Sequence, residues 1–210
     1  MKKYFIVLII PYYLFSQPLD ESVSKLSEYI ISPHFENIIR VNNDIDALDS
    51  LFIEAVKYQN GDVSETLLTV AFSALAFQYL PIKVPIIGLK LELPLSHVDE
   101  KLFQKKIDNL PKNLFFNSPK SKFGDKDKIA HFFGSAYLSN TVTLFKLSKF
   151  MGIFVEFFEA AFKVEGFLDY RDMKINNLGE LYGIALRENQ NLLPSEILRV
   201  YNLFYFRLTN

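Results

Sequence analysis

Polar residues that could carry out acid–base chemistry occur one helical turn apart in the second half of the chain. Asp127 and His131 stand four residues apart, and Gly134 follows three residues later. At 3.6 residues per turn, these three positions fall on one face of a helix. A carboxylate beside an imidazole can fix the tautomer and raise the pKa of the imidazole. The pattern predicts either a polar site or a simple helix-stabilising pair.

A second predicted helix carries a similar stripe. Asp172, Asn176, Gly179 and Gly183 stand at offsets of 0, 4, 7 and 11, so they lie within roughly 60° of one another around the helix axis. A glycine inside a helix costs about 1 kcal/mol relative to alanine. We therefore expect another helix to pack closely against the two glycines, which brings the polar groups of both helices together.

Two further carboxylates, those of Glu156 and Glu159, lie on the apolar segment 150–162. A buried carboxylate without a partner costs several kcal/mol, so at least one of them should find a partner or reach water. His131 and Asp172 are the natural partners. The alternative is that both glutamates lie on the solvent-facing edge of an amphipathic helix.

The ordered set of these residues resembles the VanZ-like family and the related YfiM-type periplasmic proteins. The matching positions are Asp127, Lys128, His131 and Phe132, then Glu156 or Glu159, then Asp172, Asn176, Gly179 and Gly183. The resemblance covers about residues 123–187. It implies a helical protein of the cell envelope and does not imply a defined reaction.

The chain departs from this family pattern at two points. The Glu-x-x-Gln pair of VanZ-like proteins reads Glu156-Phe-Phe-Glu159 here, so the middle carboxylate is ambiguous. YfiM-type proteins are often lipoproteins, whereas this chain contains no cysteine that could be lipidated.

Composition narrows the possible functions. The chain has 210 residues, half of them apolar, with 21 Phe and 11 Tyr, which is enough for one full core. The net charge of −1 predicts no nucleic-acid partner. The lack of cysteine excludes disulfides, thiolate metal sites and a cysteine nucleophile.

A histidine–carboxylate set suits Zn, Mn or Fe. The sequence contains neither an HExxH motif nor a histidine pair, so we predict no metal and no cofactor.

The first sixteen residues have the three parts of a secretory signal peptide. Lys2 and Lys3 supply positive charge, residues 4–15 are apolar apart from Pro11, and Ser16 is a small residue at the cleavage point. About twelve apolar residues are too few to span the ~30 Å of a bilayer. We expect residues 1–16 to be removed and the protein to be exported to the periplasm or outer envelope of a bacterium.

Hydrophobic periodicity predicts a mainly α fold, an antiparallel helical bundle with a short extended segment near 84–95. The N-terminal helical region is 17–122, the motif region 123–187 contains three helices, and 188–210 forms a C-terminal helix on the same domain. The predicted helices span residues 18–31, 45–58, 66–80, 99–110, 126–147, 150–164 and 170–187, with a last helix capped by Ser195.

The sequence does not predict a membrane-spanning helix. Residues 66–88 are interrupted by Pro81, Lys83 and Pro85, and residues 129–145 contain His131 and other polar groups. The uncharged helix 66–80 is either a central core helix, which we favour, or a contact to a membrane surface, an envelope lipid or a partner protein of unknown kind.

These observations favour a non-enzymatic, exported cell-envelope protein with a buried polar cluster in a structural or binding role. One alternative is a hydrolase or lipid-modifying enzyme, with or without a metal, that uses His131 with Glu and Asp partners. Another is a binding module for a lipid or cell-wall precursor. A structural cluster should be sealed by aromatic side chains, namely Phe132, Phe133, Phe157 and Phe158. A catalytic or binding cluster should open into a pocket.

Overall fold

Side-chain caps set the starts of four helices in the N-terminal half. Ser32, Asn43, Asp62 and Asp99 each accept a hydrogen bond from the backbone amide three residues later, which satisfies one of the free amides of the first helical turn. The computed structural model describes residues 17–83, 90–94, 99–141 and 170–209.

The described residues form eight helices and two short strands, so the predicted mainly α fold is confirmed. In chain order the elements are α1 (Gln17–Ile30), α2 (Pro33–Val41), α3 (Asp44–Tyr58), α4 (Val63–Ser73), β1 (Tyr79–Lys83), β2 (Lys90–Pro94), α5 (Glu100–Asn109), α6 (Lys126–Thr141), α7 (Tyr170–Glu188) and α8 (Pro194–Thr209). The predicted signal peptide, residues 142–147, and the predicted helix 150–164 with Glu156 and Glu159 lie outside the described residues.

Helix α2 begins at Pro33 and lies between the predicted helices 18–31 and 45–58, where the sequence predicts no helix. Proline is favoured at the first position of a helix, where its missing amide has no partner to lose. Ser32 caps this helix by accepting from the amide of Phe35 at 3.2 Å, and Glu36 lies in the first turn. Pro33 therefore separates two helices rather than ending the helical region.

The predicted helix 66–80 is wrong at its C-terminal end. Helix α4 ends at Ser73, and Tyr79 already belongs to β1. Strand β1 pairs antiparallel with β2, with Tyr79 opposite Pro94 and Lys83 opposite Lys90. Pro81 cannot donate a helical hydrogen bond and disfavours helical geometry in the residue before it, whereas the edge of a two-stranded sheet accepts proline.

Helix α4 is a core helix. All of its residues from Thr66 to Ser73 are buried, and it packs against α1, α3 and α6. Its polar side chains are bonded inside the protein, as shown by Gln59 Nε2, which donates to Thr69 Oγ1 at 2.7 Å. Residues 66–73 therefore do not form the membrane contact that was the alternative. In the described ranges, every helix is either too short or too polar to cross a bilayer.

Neighbouring helices mostly run in opposite directions. Ser64, at the start of α4, lies 3.3 Å from Asn140 at the end of α6. The amide of Ser195 donates to Asp49 Oδ1 at 2.8 Å, and Arg199 farther along α8 contacts Asp46 nearer the start of α3, so these two helices also run in opposite directions. The prediction that Ser195 caps α8 is wrong, because the helix begins at Pro194.

Helices α6 and α7 run in the same direction. Lys128, near the start of α6, contacts Asp172 at the start of α7, and Asn140, near the end of α6, contacts Gly183. Their first turns therefore lie side by side.

An aromatic cluster joins α3, α6 and α7. The ring of Tyr182 stacks on Phe132 at 5.2 Å and meets the edge of Phe52 at 5.8 Å. Phe133 packs against Phe132 at 5.1 Å. The Tyr182 hydroxyl donates to the carbonyl of Leu192 at 2.8 Å, so this buried side chain has no unsatisfied polar atom. The cluster holds the two parallel helices against the rest of the core.

Candidate functional site

Close contact between the backbones of α6 and α7 brings their polar side chains together. A Cβ atom on Gly179 would lie against the carbonyl of Phe132, and one on Gly183 would lie against the carbonyl of Ala136. Asn140 Nδ2 donates to the Gly183 carbonyl at 3.1 Å. The third glycine named from the sequence, Gly134, is buried in α6. The two glycines of α7 are therefore positions where any side chain would push the helices apart.

An ion triad connects the first turns of the two helices. The ammonium of Lys128 contacts Asp127 Oδ2 and lies 2.5 Å from Asp172 Oδ1. The side chains of Lys128 and Asp172 are 6% and 5% exposed, and that of Asp127 is 16% exposed. Burial acts to lower the pKa of Lys128, but the hydrogen bonds and charges of the two carboxylates outweigh it and raise the pKa. The ammonium is thus held in its charged form between the carboxylates.

His131 lies beside this triad with both ring nitrogens near polar atoms of α7. Its Nδ1 is 3.3 Å from Asn176 Oδ1, and its Nε2 is 4.0 Å from Asp172 Oδ1. The hydroxyl of Ser135 donates to the same Asn176 oxygen at 3.1 Å. Together with Lys128 and Asp127, these residues form what we call the α6–α7 cluster, which consists of Asp127, Lys128, His131, Ser135, Asp172 and Asn176.

The pKa of His131 moves in the direction opposite to that expected from its acidic neighbours. Burial lowers the pKa, and this effect exceeds the attraction of the Asp172 carboxylate. Lys128 also lowers the pKa, because its positive charge repels an imidazolium. His131 is therefore neutral at pH 7.

This direction of shift predicts an acid-sensitive contribution to stability. The unfolded chain binds a proton at His131 near pH 6.5, whereas the folded chain does so only at lower pH. The stabilising contribution is complete above the unfolded pKa and is lost as pH falls from there to the folded pKa, by up to about 1.4 kcal/mol per pH unit. Urea unfolding of wild type and His131→Gln between pH 7.5 and 5 should show a steeper loss for wild type. If the free energies of unfolding of the two proteins fall in parallel with pH, then His131 has the same pKa in the folded and unfolded states.

Asp127 and His131 form one wall of a cavity of about 290 Å³ between α5, α6 and the segment that follows α4. Lys126 also lines the cavity. The remaining walls are mainly apolar and include Leu75, Phe77, Ile107, Leu110, Phe123 and Ala130. The cluster therefore opens into a pocket on one side.

Aromatic side chains do not separate the α6–α7 cluster from this pocket in the described residues. Phe132 and Phe133 are buried in the aromatic cluster with Tyr182. Phe157 and Phe158 lie outside the described residues.

Three side chains of this cluster, those of Asp127, His131 and Asp172, carry atoms that can bind a metal ion. One ligand atom from each of Asp127, His131 and Asp172 lies within 4.8 Å of the others, a spacing that a metal could bridge. Lys128 places its ammonium between the two carboxylates, so they already have a cationic partner. A metal would have to displace this lysine, which makes the donor set a poor fit for a resident ion.

A second buried charge pair, not predicted from the sequence, supports the start of α6. Asp125 is fully buried and accepts hydrogen bonds from Arg171 of α7, from Ser118 and from the amide of Leu114. Arg171 also donates to the carbonyl of Asn117 at 2.8 Å. The signal available in the sequence was an acidic residue directly before a predicted helix, where a carboxylate is favoured by the helix dipole. The pair ties the loop before α6 to the first turn of α7.

Two buried lysines near the pocket were also missed. Lys106 of α5 donates to the carbonyl of Leu75 at 3.0 Å, and its burial lowers the pKa to about 7. Lys126 donates to the carbonyls of Ile107 and Asp108 at 2.6 and 2.9 Å. Lysines are seldom buried, so nothing in a charged amphipathic pattern predicted these positions.

Comparison with family models, with curated proteins and with solved structures finds no match for this chain. The resemblance to VanZ-like and YfiM-type proteins therefore stays a prediction.

Proposed function

We propose that this protein is a non-enzymatic, exported protein of the bacterial cell envelope that binds a small apolar molecule. The α6–α7 cluster would hold the two helices together, and the adjoining pocket would receive the ligand. The observation that supports this most strongly is that Asp127 and His131 lie in the wall of a largely apolar cavity of about 290 Å³. An apolar cavity with a few polar groups at one side is typical of a binding site.

The orientation of His131 favours binding over catalysis. A general base needs a ring nitrogen within hydrogen-bond reach of the substrate. Here Nδ1 lies near Asn176 and Nε2 lies toward Asp172, both on α7. The imidazole is thus used to connect two helices, which is a structural role.

A hydrolase remains the second candidate, because one feature of the cluster suits it. A neutral imidazole lies near a carboxylate, and a shortening of the 4.0 Å between His131 Nε2 and Asp172 Oδ1 to hydrogen-bond distance would give a base and its orienting acid. Catalysis would require one ring nitrogen to face the cavity, which His131 already lines. Hydrolysis of generic acyl esters that is lost in His131→Gln but retained in Asn177→Gln would support this alternative over the binding role.

The binding proposal is tested by titrating ¹⁵N-labelled protein with 1-octanol and recording amide chemical shifts. We expect saturable shifts concentrated at the pocket, at Leu75, Ile107 and Ala130. Ala76 lines the same cavity and is exposed, so Ala76→Phe should fill the opening without disturbing the core and should abolish the shifts.

The matched control places the same side chain elsewhere on the surface. Asn177 is exposed on α7, so Asn177→Phe should bind as wild type does. Shifts that are scattered over the surface, or that survive Ala76→Phe, would contradict a defined pocket.

Export is tested separately, by mass spectrometry of the protein recovered from its native host. Cleavage of a signal peptide predicts a mature N-terminus near Gln17 or Pro18. An intact Met1 on protein recovered from the cytosol would contradict export without affecting the binding proposal.

A further inference from the structure

The α6–α7 cluster carries more negative than positive charge. Among its described members, Asp127 and Asp172 are carboxylates, and Lys128 supplies the single ammonium between them. His131 adds no positive charge, because burial lowers its pKa. One negative charge is therefore left over at the cluster, in surroundings where an unbalanced charge is costly.

This excess charge is nearest to the pocket at Asp127. Asp127 lines the cavity, whereas Asp172 does not. The side chain of Asp127 is also the more exposed of the two. Among the described residues, the hydrogen bond that Lys128 donates to Asp127 goes to Oδ2. A carboxylate has about four acceptor positions, so Asp127 can accept a further hydrogen bond from a ligand in the cavity.

Lys126 is the lysine in the cavity wall, and Lys106 lies outside the lining; both donate to carbonyls at helix ends. Lys126 donates to two carbonyls at the end of α5, those of Ile107 and Asp108. Lys106 donates to the carbonyl of Leu75, just after α4. Carbonyls at the C-terminal end of a helix carry partial negative charge and stabilise cations. The two lysines therefore do little to balance Asp127.

We propose that the pocket binds a small amphiphilic amine, with its apolar body in the cavity and its ammonium group on the Asp127 carboxylate. This inference rests on the proposed function, because it assigns a chemical class to the ligand of the same pocket. The ammonium would balance the excess charge and form a charge-assisted hydrogen bond. A cavity of about 290 Å³ is at the small end of the ligand-site range of about 300–1,000 Å³, so it suits one short chain or ring rather than a two-chain lipid.

The experiment compares three ligands that differ only in their polar end, using isothermal titration calorimetry on the full mature chain. The ligands are octylammonium, 1-octanol and octanoate, each below its micelle concentration. We expect octylammonium to bind about tenfold more tightly than octanol, and octanoate to bind most weakly. A fourth titration with ZnCl₂ tests whether a metal cation satisfies the same charge.

Two variants separate the charge from the cavity. Asp127→Asn keeps the shape of the side chain and removes its charge, so octylammonium and octanol should bind about equally. Ala76→Phe fills the opening, so all three ligands should lose binding. The wild-type ranking of the three ligands is itself decisive if Asp127→Asn does not fold.

The outcomes distinguish this inference from the function on which it rests. Equal binding of octylammonium and octanol to wild type overturns the amine preference and leaves an apolar pocket intact. Tightest binding of octanoate also overturns it and points to Lys126 as the head-group contact. Failure of all three ligands contradicts the binding function as well. Binding of Zn²⁺ without binding of octylammonium overturns the proposal in favour of a metal site.

Discussion

Lys128→Met is expected to lower the free energy of unfolding by about 3–5 kcal/mol. The substitution keeps most of the apolar stem but removes the ammonium that contacts both Asp127 and Asp172. Two carboxylates are then left close together in a buried site, and removal of one partner from a buried ion pair costs this much. Urea unfolding followed by far-ultraviolet circular dichroism measures the change.

The matched control is a lysine in a surface ion pair. Lys122 is 81% exposed on its side chain and lies 2.9 Å from Asp108. Pairs of this kind contribute about 0–1 kcal/mol, so Lys122→Met should be nearly neutral. Similar losses in the two variants would show that Lys128 stabilises the fold no more than a surface lysine does.

Gly183→Leu is expected to destabilise the protein by about 3 kcal/mol, the upper end of the usual cost of overpacking. A side chain at this position would meet the carbonyl of Ala136 and the hydroxyl of Ser139. The backbone atom cannot move without displacing α6 itself. The hydrogen bond from Asn140 to the Gly183 carbonyl would be lost with the close approach. Thermal unfolding by differential scanning calorimetry measures the loss.

The same substitution at an exposed position of α7 is the control. Asn177 is exposed, so Asn177→Leu should change stability by no more than about 0.5 kcal/mol. If Gly183→Leu has the same melting temperature as Asn177→Leu, then the two helices can separate at no cost and the close contact is not needed for the fold.

Hydrophobic periodicity in the sequence predicted most of the helices. The helix expected at 45–58 is Asp44–Tyr58, and the helix expected at 99–110 is Glu100–Asn109. The errors arose at prolines. Pro33 begins a helix rather than only ending one, and Pro81 lies in a strand whose existence depends on pairing with Lys90–Pro94. Strand pairing is a contact between distant residues, and periodicity within one segment does not reveal it.

The polar stripes could be predicted because helix geometry fixes which residues share a face. The extent to which those faces are buried could not be predicted from the sequence. Whether burial or a neighbouring acid determines the pKa of His131 depends on the whole surrounding core. The sequence also did not predict that Lys128 lies between Asp127 and Asp172. This position requires α6 and α7 to run in the same direction with their first turns side by side.

The buried pair of Asp125 and Arg171 shows the same limit. In the sequence these residues stand 46 positions apart and resemble ordinary surface charges. They meet because the loop before α6 folds against the first turn of α7. In that loop, the amide of Leu114 and the hydroxyl of Ser118 also donate hydrogen bonds to the Asp125 carboxylate. Ion pairs between residues of different secondary-structure elements can be identified only once the packing of those elements is known.

The central claim is that α6 and α7 are held by one shared buried cluster, and a double-mutant cycle tests it most directly. The measurement is the free energy of unfolding of wild type, Lys128→Met, Asp172→Asn and the double variant. Lys128→Met should cost less by about 1–3 kcal/mol when Asp172 is already neutralised, because only one buried carboxylate is then left without its cation. Costs that add to within about 0.5 kcal/mol would contradict the claim, since residues of one cluster must be coupled.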